Sequence, residues 1–111
     1  MSEANSQEER FVSRGRIVRY VLTEDNAKEI NRRRVAGYGH GEGWSAGAQA
    51  HVGNAVIGGE HVSMIVTAVW SLDTGCVNGQ CLLDGSDSLW VTSVLNDENM
   101  LPGTWHWPGL E

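Results

Sequence analysis

Three consecutive arginines, Arg32, Arg33 and Arg34, form the densest cationic group in the sequence. Guanidinium forks suit a phosphate better than ammonium groups do, because each presents paired donors to a pair of anionic oxygens. Five tryptophans, against one phenylalanine and two tyrosines, are the second unusual supply. Trp44, Trp105 and Trp107 fall in loop or edge segments, where an indole is costly to leave in water unless it packs on a ligand, a second subunit or the chain itself. Arg32, Arg33, Arg34, Trp44, Trp105, His106 and Trp107 are therefore the candidate ligand-binding residues, arginine for phosphate and indole for stacking a base. Each group also has a structural reading, which stays open at this point. Arginines that close a helix favour its C-terminal dipole, and Trp105 and Trp107, two apart on one strand face, can pack across the mouth of a barrel.

Catalytic arrangements are missing from the sequence, and no enzyme is expected. A serine or cysteine nucleophile needs a base and an elbow such as GxSxG, which the chain lacks. Asp84 and Asp87 lie in LDGSDS, the composition of a hairpin turn in which aspartate bonds its own backbone. The glycines of GYGHGEGWSAG, residues 37–47, lack the lysine of a phosphate loop and read as a surface loop. Cys76 and Cys81 are five apart in one strand, so their side chains point to opposite faces and no disulfide joins them. His40, His51, His61 and His106 are scattered without CxxC or HxxxH spacing, so neither a metal nor a cofactor is implied.

Charge narrows the partners. All eight basic residues lie in the first 34 positions beside six acids, whereas eight acids and no Lys or Arg follow from Val35 onward, within a net charge of −6. A general nucleic-acid binder needs a broad basic face, which this distribution denies. It allows one local anion site, or a basic N-terminal arm that docks on the acidic remainder of a neighbouring subunit in a homo-oligomer held partly by charge. No apolar run reaches the ~20 residues of a membrane span. The polar start MSEANSQEER lacks the apolar stretch of a secretion signal, so a cytoplasmic location is expected.

The elements follow from periodicity. Residues 1–12 read as a disordered tail and 13–111 as one small domain. GRIVRYVL reads as a first strand, and TEDNAKEINRRR as a helix of about three turns with acids in its first turn and arginines in its last. A long glycine-rich connection holding Trp44 runs from Val35 to Glu60. HVSMIVTAVW, CVNGQCLLD and LWVTSVL form a three-stranded meander with Asp/Gly turns, in which Trp70 and Trp90 are expected in the core or half-buried in the wall. TWHWP closes as a short last strand. The predicted fold is mainly β with one short helix: a five-stranded SH3-like or Tudor-like barrel with a long helix-containing loop between strands 1 and 2. The alternative is an open α+β sandwich.

The words GRIVRYVLTEDNAKEINRRR, GAQAHVGNAV, MIVTAVW, VNGQCLLDG, LWVTSV and the closing PGTWHWP cover most of the chain. In them the sequence resembles a family of small proteins of tailed phages and prophages that end in PGTWHWP. The resemblance implies a phage or prophage origin and carries no activity and no residue roles. Two functions are consistent with the residues. One is a non-enzymatic binding protein that sequesters a small phosphorylated, nucleotide-like immune signal of the host. The other is a phage structural or assembly accessory, a protein–protein interaction module.

Overall fold

The computed structural model describes residues 11–38 and 53–109. The N-terminal residues 1–10, Trp44 and most of the glycine-rich connection lie outside them. Within them, strands β1 (Ile17–Val21), β2 (His61–Ser71), β3 (Cys76–Leu82), β4 (Ser88–Asn96) and β5 (Thr104–His106) close a barrel in that order, with one helix, α1 (Glu24–Tyr38), between β1 and β2. This is the expected five-stranded barrel, and its closure excludes the open sandwich. β1 pairs antiparallel with both β2 and β5, and the parallel pairing of β4 with β5 completes the circuit.

Alternation along the strands builds the interior. Val18, Tyr20 and Leu22 point inward from the first strand, Met64 and Val66 from β2, Val77, Cys81 and Leu83 from the third, and Leu89, Val91 and Val94 from the fourth, all in one buried cluster. Ala27 and Ile30 of α1 join this cluster, as does Val12. At Gly79 the side chain of Met64 lies where a Cβ would stand, 2.5 Å from the ideal position, which is why β3 carries a glycine in mid-strand.

The helix starts where the sequence indicates. Thr23 Oγ1 accepts from the Asn26 amide at 2.9 Å, Asn26 Oδ1 accepts from the Thr23 amide at 2.9 Å, and the Tyr20 hydroxyl donates to the same Oδ1 at 2.7 Å. This reciprocal cap satisfies donors that a helix N-terminus leaves free. The helix ends later than expected, at Tyr38. Arg32, Arg33 and Arg34 therefore sit in its interior and not in its last turn, which removes the C-terminal dipole as their reason for being there.

Burial raises the Cys81 thiol from its ordinary 9.0 to about 12, and burial, with a smaller contribution from Cys81, raises the Tyr20 phenol from 10.0 to about 12. Both groups hold their protons in the fold at pH values where the unfolded chain releases them. The associated stability is complete below pH 9 and is lost as pH rises toward 12. Thermal melts should accordingly show a falling midpoint above pH 9, and thiol titration of the native protein should label the half-buried Cys76 while sparing Cys81 until the protein is denatured.

Candidate functional site

The three arginines are committed to carboxylates. Arg34 is 5% exposed; its Nη1 donates to both oxygens of Asp87 at 2.8 and 2.9 Å, and its Nε donates to the Asn54 carbonyl at 3.2 Å. Arg33 Nη1 donates to Asp87 Oδ2 at 3.1 Å and to the Ser88 carbonyl at 2.9 Å, while its Nε reaches Glu29. Arg32, at the surface, pairs with Glu29. Asp87 thus fastens α1 to the β3–β4 turn. Asp84 accepts from the Asn54 side chain at 2.6 Å, beside the bridge between Gly53 and Gly85. Arg34 Nη2 has no hydrogen-bond partner among the described residues and faces Gly53, where a Cβ would stand 2.8 Å away.

The aromatic candidates stand at the other end of the barrel. Trp105 is 2% exposed, and its indole N–H donates to the Gly75 carbonyl in the β2–β3 turn at 2.7 Å. Trp107 meets Trp105 edge to face with ring centroids 5.1 Å apart, and the Arg16 guanidinium lies 5.0 Å over its ring. His106 is buried and meets His61 edge to face at 4.9 Å. Since the arginines grip the turn after β3 and Trp105 grips the turn before it, the seven residues of β3, roughly 20 Å of strand, separate them. No small ligand touches both. Near the Trp105 end, Phe11, Val12, Ser13, Arg14, Val69 and Leu72 line a groove of about 660 Å³.

No protein-family model matches the chain, and no curated protein or solved structure matches it either.

The residues missed from sequence lie on the outer wall. Trp70 and Trp90, expected in the core or half-buried, are 66% and 59% exposed. Trp70 falls at a register shift of β2 against β3, between the pairs Val69↔Val77 and Ser71↔Cys76. A second irregularity on the opposite side of β3, between Val77↔Val94 and Gly79↔Val91, spans Thr92 and Ser93. Asn78 lies between the two. Its Oδ1 accepts from the Trp70 indole N–H at 3.0 Å and from the Ser93 amide at 2.9 Å, and Ser93 adopts a φ of 54°. One buried amide therefore fixes a bulge on each side and turns an indole outward with its N–H already satisfied. Next to it, Gln80 pairs in register with Trp90 and accepts from the Ser88 hydroxyl at 3.1 Å. Among the described residues no group of His, Cys, Asp and Glu could hold a metal, and no helix is long and apolar enough to cross a membrane.

Burial works to raise the Asp87 carboxyl, but the hydrogen bonds from Arg34 and Arg33 outweigh it and hold the group below its usual range. A carboxyl depressed in the fold contributes stability above its unfolded value of about 3.9 and loses it as pH falls through the folded value. Acid should therefore loosen α1 from the β3–β4 turn below about pH 4. Asp87→Ala leaves a buried guanidinium without its counter-ion and should cost about 3–5 kcal/mol, lowering Tm by more than about 10 °C. Arg32→Ala, which removes a surface pair, should leave the unfolding midpoint almost unchanged. Denaturant titrations of the two variants check the contrast.

Proposed function

We propose that this chain is a non-enzymatic interaction module of a phage or prophage, a structural or assembly accessory that engages its partner through the outer wall of β2, β3 and β4. The observation that carries this reading is the make-up of that wall. A fifth of the chain is Asp, Glu, Lys or Arg, yet none of these occurs in β2, β3, β4 or β5. Outward positions of a small barrel ordinarily carry charge. Here they carry serine, threonine, amides, the exposed Leu82 and Leu95, and two indoles. Depletion of charge with enrichment of tryptophan is the composition of a recognition surface rather than of a solvated one.

Sequestration of a nucleotide-like ligand asks for guanidinium and indole on the same molecule. With Arg33 and Arg34 occupied by Asp87 and Trp105 buried far from them, the interaction module is the better supported of the two functions.

The purified protein is expected to co-sediment with phage particles or with the cell envelope of the host. The double variant Trp70→Ala/Trp90→Ala should stay in solution while melting within a few degrees of the parent, since both side chains are mostly exposed. Wild-type protein that remains in the supernatant of both preparations would overturn the reading.

A further inference from the structure

The chemistry of the wall goes beyond saying that something docks there. Between Trp70 on β2 and Trp90 on β4 run the outward side chains of β3, Asn78 and Gln80. Each uses its carbonyl oxygen inside the protein: Asn78 for Trp70 and Ser93, Gln80 for Ser88. Their amide nitrogens have no partner among the described residues. The face therefore offers two indoles about two sheet steps and three to four residues along β3 apart, roughly 15 Å between Cα positions, with neutral donors in the gap. Asn78 holds the Trp70 indole by its N–H, so what Trp70 presents outward is ring surface and not a hydrogen-bonding edge.

A partner that fits between Trp70 and Trp90 must be uncharged, because β2, β3 and β4 hold no charged side chain to pair with it there, the Arg19 guanidinium meeting the wall at Ser63, on the side of β1. It must also be apolar on one face and hydroxylated at its edges. A pyranose ring has that form: its C–H face meets the negative face of an indole, and its hydroxyls take the amide donors of Asn78 and Gln80. A second copy of the chain fits less well. The exposed face of three strands, about 14 Å wide and as long as β3, offers on the order of 300 Å², well below the ~800 Å² per partner of a stable protein interface.

We propose that the outer wall of β2, β3 and β4 binds an uncharged glycan, with sugar rings stacked on Trp70 and Trp90 and hydroxyls held by Asn78 and Gln80. The inference rests on the reading of this wall as the interaction face, and it names the partner as a polysaccharide. On an assembled particle such a face would anchor the particle to a cell-surface glycan.

The full chain is titrated with cellohexaose, chitohexaose and maltohexaose, with oligogalacturonate as an anionic control, by calorimetry and tryptophan fluorescence. Saturable binding to at least one neutral hexasaccharide is expected, unchanged between about 50 and about 500 mM salt because no ion pair is formed. Trp70→Ala and Trp90→Ala should each weaken it about tenfold or more, and Gln80→Ala, which leaves the Asn78 bulges intact, several-fold. Silence across the neutral panel at millimolar concentration overturns the proposal, as does binding that survives both tryptophan substitutions or that favours the anionic control and fades with salt. If the wall variants abolish co-sedimentation with particles or envelopes while no glycan binds, the glycan assignment fails and the interaction face stands. If wild-type protein neither co-sediments nor binds a glycan, both fail.

Discussion

A barrel closed by a strand of three residues depends on what that strand buries. β5 contributes little backbone pairing, two partners on β1 and two on β4, so its position rests on Trp105. The indole fills the interior, donates to the Gly75 carbonyl, and lies 3.2 Å from where a Cβ on Gly75 would be. Gly75 has a φ of +67° and the same added Cβ would stand 2.7 Å from Asn96, so the turn both requires glycine and is shaped around the ring. Asn96 in turn donates from its side chain to the Trp105 carbonyl. The closing strand, the β2–β3 turn and the end of β4 are thus locked by one side chain. That is why Trp105 is unavailable to a ligand.

The other end of the barrel obeys an electrostatic constraint. Two guanidiniums converge on Asp87, and a third shares Glu29 with Arg33. Removing water from Arg34 and Asp87, whose side chains are each 6% exposed, is offset only while both stay ionised and in contact. The arginine run that stands out as a phosphate clamp in the sequence works as a fastener because its helix continues to Tyr38 and lays positions 33 and 34 against the β3–β4 turn.

The barrel was legible because its signals are local: a meander with Asp/Gly turns, one capped helix opening at Thr23, a short aromatic strand before a proline. What was not legible depends on bulges and on partners distant in sequence. Strict alternation through HVSMIVTAVW puts Trp70 on the same face as Met64 and Val66. A register shift between Val66 and Ala68 reverses the parity, so that Val69 packs against the core and Trp70 points out. Trp90 was different. Leu89 and Val91 already mark the inward face of its strand, and only the expectation that a large indole must be core hid the outward position. The role of Asp87 could not be read from LDGSDS, because Arg33 and Arg34 reach it across more than fifty residues. The absence of charge from the last four strands stood in plain view, and it acquires meaning only once closure fixes which residues face outward.

Placement of charge then explains how an acidic protein can carry a neutral binding face. Among the described residues, the acids of the second half lie in the turns and connections, at Glu60, Asp73, Asp84, Asp87, Asp97 and Glu98, and leave the strands between them untouched. Negative charges at the rim repel polyanions. The wall inside that rim contributes no long-range steering, so recognition there has to come from contact: ring surface, amide donors and the fixed angle of Trp70. A rigid indole loses little side-chain freedom when it meets a partner, and Asn78 has already removed most of what Trp70 had. The cost of that rigidity falls on the fold, as two bulges and a serine at positive φ.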